Sequence, residues 1–220
     1  MKKFTKKWAL VLIFLFITGF AFAQSMQVLD YFNQVSATYA GITDYKALIS
    51  MKVGSQSPLT GTIWTKGNKV LINWRTGEVI NINNGKLIVY VAGNRVVLEQ
   101  EMTGLNAGSA EGLSLFRKYY KYSYYDPDGY KFVPLDERSS EQVIKLRFDA
   151  KWGGLEYRTM IISFTRDNII RRIEATTFGG ANYLFDFTNV QINQGIPDNQ
   201  FNYKPSGDSH TVKNFIYTPE

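Results

Sequence analysis

Few residues of this chain could carry out chemistry by themselves. Its one histidine, His210, lies in a polar tail, and the sequence contains no cysteine. It also lacks a Gly-x-Ser-x-Gly elbow, a His-Glu-x-x-His zinc motif and a glycine-rich phosphate loop. Triad, thiol, zinc and P-loop chemistry are therefore unsupported, and we expect neither a metal nor a cofactor.

Two pairs of neighbouring acids remain as candidates for catalysis. Asp126 with Asp128, or Asp136 with Glu137, could act as general acid and base in glycan cleavage. Both pairs lie in turn-like surroundings, where acidic side chains are ordinarily solvated. We therefore expect a protein that is not an enzyme.

The chain is instead rich in apolar side chains that alternate along predicted strands. Hydrophobic residues make up 45% of the sequence and aromatic residues 15%. Alternation places the apolar side chains of a strand on one face of a sheet, and that face either fills a solid core or lines a cavity for a hydrophobic ligand. If it lines a cavity, the candidates for binding acyl chains are Ile49, Met51, Ile63, Ile144, Leu146, Phe148, Met160, Ile162, Phe164, Phe185 and Phe187.

The first 23 residues have the layout of a secretory signal peptide. Four lysines precede an apolar run that ends in Ala21-Phe22-Ala23, a typical cleavage site. The run is shorter than the roughly 20 residues of a membrane-spanning helix. Removing four lysines and no acid lowers the net charge of +6 to +2, which gives no support to nucleic-acid binding. We expect residues 24–220 to fold as one soluble, monomeric domain in the periplasm.

Hydrophobic periodicity predicts a helix followed by two series of strands. Residues 24–40 have apolar positions three or four apart, and Gly41 stands where the helix would end. Period-two patterns and turns such as Asn84-Gly85 predict the strands. They are expected at 45–53, 59–66, 69–74, 78–82, 86–91 and 95–99, and then at 130–133, 142–149, 156–164, 169–178 and from 183 onward.

An insertion between residues 101 and 122 interrupts the strands. It begins with a glycine-rich stretch, 104–112, and continues as a predicted helix over 113–122 with Leu113, Phe116 and Tyr120 on one side. The insertion is either a lid over the sheet, hinged at the glycines, or a connecting helix packed permanently on the core.

The segment 183–205 is predicted to close the sheet. Gly195 and Pro197 mark a turn after its long strand, and Phe201 and Tyr203 alternate as in a short closing strand before Pro205. Residues from His210 onward are expected to form a trailing edge strand or tail.

Three segments resemble the LolA family of periplasmic lipoprotein carriers. They are Gly61-Thr-Ile-Trp-Thr-Lys66, Asn84-Gly-Lys-Leu87 and the closing stretch from Phe187 to Pro205. The resemblance implies a mainly β fold, an unclosed antiparallel β-barrel or half-barrel wrapped on an N-terminal helix with a helical lid. It also implies a cavity for lipoprotein acyl chains, an inner-membrane transporter that releases the lipoproteins and an outer-membrane acceptor.

The chain departs from the family pattern at one point. The family commonly has an Arg-Pro pair just after the Trp-x-Lys of the second strand, and that arginine looks tied to lid closure. Here Gly67-Asn68 stands in its place. Lys66 and Lys69 are the candidates to replace the arginine, although neither offers its planar fork.

These features support three hypotheses for function. The first is a carrier that binds the acyl chains of lipoproteins and moves them toward the outer membrane. The alternative is a LolA-like module that senses or binds lipid or lipoprotein and acts with a regulatory partner. The third is a structural subunit whose apolar face is a solid core.

Overall fold

The computed structural model describes residues 26–102, 113 and 116–216. The predicted signal peptide and the glycine-rich hinge at 104–112 lie outside these residues. The predicted helix is confirmed as α1 (Val28–Ala40), which ends where the Gly41 N–H donates to the carbonyls of Ala37 and Thr38. Its buried face, at the predicted helical spacing, consists of Tyr31, Phe32, Val35 and Tyr39.

Thirteen strands form among the described residues, and the predicted bounds hold within about two residues for most of them. The first series is β1 (Asp44–Val53), β2 (Leu59–Lys66), β3 (Lys69–Trp74), β4 (Val79–Asn83), β5 (Lys86–Val91) and β6 (Val96–Glu101). The second is β7 (Tyr120–Tyr124), β8 (Val133–Pro134), β9 (Gln142–Ala150), β10 (Tyr157–Phe164), β11 (Ile170–Thr177), β12 (Asn182–Ile192) and β13 (His210–Lys213). The predicted strand at 130–133 shrinks to the two residues of β8.

All strands belong to one twisted sheet that does not close. Its order is β13-β6-β5-β4-β3-β2-β1-β12-β11-β10-β9-β7, with β8 paired to β9. Every ladder is antiparallel except that of β13 with β6. Among the described strands no ladder joins β13 to β7, so both ends of the sheet are edges. This mainly β, unclosed half-barrel around α1 is the fold class that the sequence predicts.

The largest core lies between α1 and one half of the concave face. The apolar face of α1 packs on β7, β9 and β10. Phe32 lies 6.0 Å from Phe148 between ring centroids, and Tyr31 lies 6.1 Å from Phe164. These edge-to-face contacts fix the helix against that half of the sheet.

The segment after β12 does not form the predicted closing strand. It crosses to the convex face and ends in a 3-10 helix, η2 (Asp198–Phe201). There Phe201 is fully buried against Leu71, Val79 and Ile196 in a second core, and its carbonyl accepts a hydrogen bond from the Asn81 side chain at 3.1 Å. The apolar residues that resembled a strand pattern therefore cover the back of β3 and β4 instead of extending the ladder.

The predicted helix at 113–122 is also only partly correct. Helical backbone is described for residues 113 and 116–119, and Tyr120 already begins β7. Tyr120, Tyr122 and Tyr124 pair with Ala150, Phe148 and Leu146 of β9, so their alternation is that of a strand.

Candidate functional site

The half of the concave face beneath α1 is a filled core. Six of the eleven predicted ligand-binding residues lie there, each at most 4% exposed: Ile144, Leu146, Phe148, Met160, Ile162 and Phe164. They pack against the buried face of α1 and against one another. A ligand could reach them only if the helix moved away, so their role in binding stays a prediction.

The other half of the same face carries a continuous aliphatic row. Antiparallel pairs join Ile63 to Ile72, Ile72 to Ile80, Ile80 to Val89 and Val89 to Leu98, across β2 to β6. Cross-strand partners share a face, and each member of this aliphatic row is half-exposed. Among the described residues, no helix packs over it, because α1 and the helical residues 113 and 116–119 belong to the other half.

A second row runs parallel to the first. Thr65, Val70, Ile82 and Leu87 follow one another across β2 to β5 and are also half-exposed. Sequence reasoning included only Ile63 of all these positions. The signal was present, since 70, 72, 80, 82, 87 and 89 alternate with other residues in their strands, but alternation does not indicate which half of a sheet is left uncovered.

A small apolar cavity lies where the covered and uncovered halves meet. It has a volume of about 150 Å³ and is lined by Tyr39, Ile42, Tyr45, Thr65, Ile170 and Phe187. Thr65 lies two residues from Ile63 on the same face of β2, so the cavity adjoins the aliphatic row. Binding sites for small ligands usually span about 300–1,000 Å³, and the cavity by itself therefore accommodates only one end of a long acyl chain.

The polar atoms of this cavity carry no charge. Burial raises the pKa of Tyr39 to about 12, and its hydroxyl oxygen accepts a hydrogen bond of 2.9 Å from the Ile170 N–H. Burial also raises the pKa of Tyr45, with a smaller contribution from neighbouring Tyr39. Both phenols stay neutral at any physiological pH, so the lining suits hydrocarbon and not a charged headgroup.

The remaining predicted binding residues lie along β1 and β12, beside the cavity. Tyr183, Phe185 and Phe187 form an aromatic column on the concave face of β12, with the rings of Tyr183 and Phe185 stacked at 6.2 Å. Phe185 pairs with Met51 and Phe187 with Ile49. Ile49 is buried, the other three predicted residues are half-exposed, and only Phe187 of the eleven lines the cavity.

The predicted lid residues pack against the filled core. Leu113 is 4% exposed, and Phe116 lies 5.3 Å from Phe148 and 5.9 Å from Tyr120 between ring centroids. The Tyr120 hydroxyl donates to the Tyr157 carbonyl at 3.1 Å, which fixes Tyr120 as part of the sheet. The three side chains thus meet at one end of the covered half, and whether this segment opens stays a prediction.

Lys66 and Lys69 do not occupy the place expected for a lid-controlling arginine. Both bind Asp198 on the convex face, at 2.7 and 3.1 Å, and Lys66 also donates to the Ile196 carbonyl at 2.8 Å. They hold η2 against the back of the sheet, on the face opposite to the aliphatic row.

The acids considered for catalysis serve local structure. Asp126 accepts the Asp128 N–H, and Asp136 accepts the Arg138 N–H together with an Arg172 ion pair. No group of three metal-ligating side chains occurs among the described residues. Within the same part of the chain, no helix has the length and apolarity needed to cross a membrane.

Solved structures to which this chain is similar share little sequence with it. An uncharacterized conserved protein from Thermus thermophilus aligns with a TM-score of 0.57 and 10% identity, over 84% of this chain and 98% of that one. MucB in the MucA/MucB complex of Pseudomonas aeruginosa and a LolA superfamily protein from Nitrosomonas europaea align with TM-scores of 0.48 and 0.40. Their identities are 11% and 10%, each over 80% of this chain. The alignments cover 60% of the former's chain, which is less than two thirds of its length, and 98% of the latter's. No protein-family profile and no curated protein sequence matches. The Thermus likeness shows the fold, and the unclosed sheet around α1 is the architecture that the LolA resemblance predicts.

Proposed function

We propose that this protein is a non-enzymatic periplasmic carrier that binds the acyl chains of lipoproteins and moves them toward the outer membrane. The observation that carries the proposal is the uncovered half of the concave face. Five half-exposed aliphatic side chains form the aliphatic row there, and it adjoins an uncharged cavity. Covering such a face with hydrocarbon removes apolar surface from water and lowers the free energy.

The two parts of the face have complementary roles in binding. The cavity receives the end of an acyl chain between Tyr39 and Phe187, and the aliphatic row supports the methylenes that follow. Each methylene removed from water contributes about 0.8 kcal/mol. Affinity therefore depends on how much of the chain the two parts cover together, and not on any polar contact.

A carrier of this kind needs a donor and an acceptor. We assign these roles to an inner-membrane transporter that releases lipoproteins and to an outer-membrane receptor, and we place the protein between the two membranes after removal of its signal peptide.

The proposal predicts a dependence of affinity on chain length. Titration with saturated fatty acids of increasing length should lower the Kd about fourfold per added methylene, corresponding to about 0.8 kcal/mol each. The dependence should level off where the chain outgrows the cavity and the aliphatic row. A Kd independent of chain length would refute binding of hydrocarbon on this face.

A second measurement separates a carrier from a protein that binds without transport. The purified protein, mixed with a triacylated lipoprotein in detergent that is then removed by dialysis, should keep that lipoprotein soluble as a one-to-one complex, visible by native mass spectrometry. Lipoprotein that aggregates, despite measurable fatty-acid binding, would contradict the carrier role and favour a module that senses lipid for a partner.

A further inference from the structure

The β9–β10 and β11–β12 hairpins, which connect their strands on the same side of the sheet, each carry an exposed aromatic side chain. Trp152 is 50% exposed in the β9–β10 hairpin, and Phe178 is 46% exposed in the β11–β12 hairpin. The pairing of Tyr157 with Thr177 places these hairpins side by side. The turns of both hairpins contain a glycine at positive φ, Gly154 and Gly180, so the backbone of each turn does not depend on the exposed ring.

A rigid support holds Trp152 in place. Its ring packs edge-on against Tyr119 at 5.8 Å, and the Lys118 ammonium lies 5.0 Å from the centre of the Tyr119 ring. The Lys151 ammonium donates to the carbonyls of Arg117 and Lys118, at 2.8 and 3.1 Å, which ties the hairpin to the end of the helical turn. The hairpin is therefore presented in a fixed position.

Basic residues surround these rings. We call the described residues 116–121, 150–158 and 177–182 the docking end. Its exposed charged side chains are five basic and one acidic: Arg117, Lys118, Lys121, Lys151, Arg158 and Glu156. A tryptophan ring, with its polar N–H edge, favours the headgroup level of a bilayer, a phenylalanine ring provides an apolar anchor there, and basic side chains are attracted to anionic lipids.

We propose that the docking end binds the surface of a bilayer that contains anionic phospholipid, with Trp152 and Phe178 inserted at the headgroup level. The purpose of docking follows from the proposed function, whereas the evidence for docking does not depend on that function. The aromatic column connects the two sites, since Tyr183 contacts Tyr157 at 5.9 Å near the hairpins and Phe187 lines the cavity. A docked protein thus presents an apolar path from the bilayer to the concave face.

Vesicle co-sedimentation tests the docking end directly. The protein is purified after secretion, its N-terminus is checked by intact mass, and it is mixed with phosphatidylethanolamine/phosphatidylglycerol or with pure phosphatidylcholine vesicles. We expect binding to the anionic vesicles that weakens with salt and much weaker binding to phosphatidylcholine. The double variant Trp152→Ser, Phe178→Ser should bind the anionic vesicles at least about tenfold more weakly, and Lys118→Gln about fivefold more weakly.

Tyr125→Ser provides the matched control. Tyr125 is an aromatic residue of similar exposure, 49%, with a lysine ammonium 5.8 Å from its ring. It follows the last residue of β7, at the opposite end of the strands from the two hairpins. Its loss should leave vesicle binding unchanged. Failure of the wild type to bind anionic vesicles, an unaffected double variant whose urea midpoint shows it folded, or an equal effect of Tyr125→Ser would each overturn the proposal.

Fatty-acid binding in the absence of vesicles separates this proposal from the proposed function. The double variant should bind fatty acid as the wild type does, because both substituted rings lie outside the concave face. A wild type that binds vesicles but no fatty acid would refute the acyl carrier and leave the docking end standing. A wild type that binds fatty acid but no vesicles would refute the docking end and leave the acyl carrier standing.

Discussion

A pair of isoleucines on adjacent strands offers a test of which face binds hydrocarbon. Ile80 of β4 lies in the centre of the aliphatic row, between Ile72 and Val89. Ile88 of β5 pairs with Asn81 and lies on the convex face. Both are half-exposed, so Ile80→Asn and Ile88→Asn are the same substitution in similar surroundings on opposite faces.

The two variants should differ in affinity and not in stability. Each loses most of the burial of an isoleucine, or about 1–2 kcal/mol of unfolding free energy. Under a bound acyl chain, Ile80→Asn also loses about 1 kcal/mol of new contact and leaves an amide without partners, which costs about 1–3 kcal/mol. The sum, about 2–4 kcal/mol, corresponds to an increase in Kd of about 30-fold or more. Ile88→Asn should change the Kd less than about twofold.

Titration with a fluorescent fatty acid and urea unfolding of one preparation measure both quantities. Ile80→Leu is the conservative control, since it keeps the volume and should keep the affinity within a few fold. The reasoning would be refuted by an Ile80→Asn protein that is folded and binds as the wild type does. Equal losses from the two asparagine variants would point to a general loosening of the sheet and not to a binding face.

Three further predictions concern what holds the sheet and its back in place. Asp44→Ala should lower the unfolding free energy by about 2–4 kcal/mol, because the buried carboxylate accepts two backbone N–H groups at 2.8 and 2.9 Å. Asp208 lies in an exposed ion pair, so Asp208→Ala should change the unfolding free energy by less than about 1 kcal/mol. Urea titrations that show similar losses for the two variants would contradict this prediction. Hydrogen bonds from two lysines lower the pKa of Asp198, so the charged carboxylate stabilises the fold above about pH 4 and this contribution disappears as the pH falls through the lowered pKa. Asp198→Asn should therefore show a smaller loss of stability than the wild type between pH 5 and pH 2, and parallel profiles would refute the assignment. Gly61→Ala drives a Cβ into the Asn73 carbonyl oxygen of β3 and should lower the unfolding free energy by about 1–3 kcal/mol. Gly93→Ala, with open space around it, should leave the thermal melting temperature nearly unchanged.

The sequence predicts most of the strands because their signals are local. The Asn84-Gly85 turn has both residues at positive φ, 51° and 70°, as a tight hairpin requires. The strands on either side of it alternate over five or six residues, and their ends follow from the turn. Local chemistry is thus sufficient for β2 to β6 and for the long strands of the second series.

Two errors arise where one pattern fits two structures. Tyr120, Tyr122 and Tyr124 alternate as in a strand, yet Phe116 and Tyr120 also stand four apart as in a helix. Phe201 and Tyr203 alternate, but Pro197 and a convex-face pocket lined by Leu71 and Val79 favour a 3-10 turn. Tertiary contacts decide both cases, and the hydrophobic periodicity of a segment gives no information about those contacts.

The candidate site was predictable as a face but not as a set of residues. Ile144 and Ile63 both occupy the apolar side of an alternating strand, and their patterns do not distinguish them. The difference is that α1 lies over Ile144 and no described helix lies over Ile63. The part of a sheet that a helix covers depends on the position and angle at which the helix crosses the sheet. Contacts throughout the chain determine that position and angle.

The pairing of β1 with β12 has a consequence for how the protein folds. This ladder joins the two series of strands, and Thr43 and Asn193 beside it are hydrogen-bonded although they are 150 positions apart. The hairpins of each series can form early because their partners are neighbours, whereas this ladder must close a long loop before its contacts stabilise anything. We expect its formation to be the slow step, during which the edge of β1 stays open to pairing with other chains, so that folding yield should fall with protein concentration while the folded protein remains unaffected.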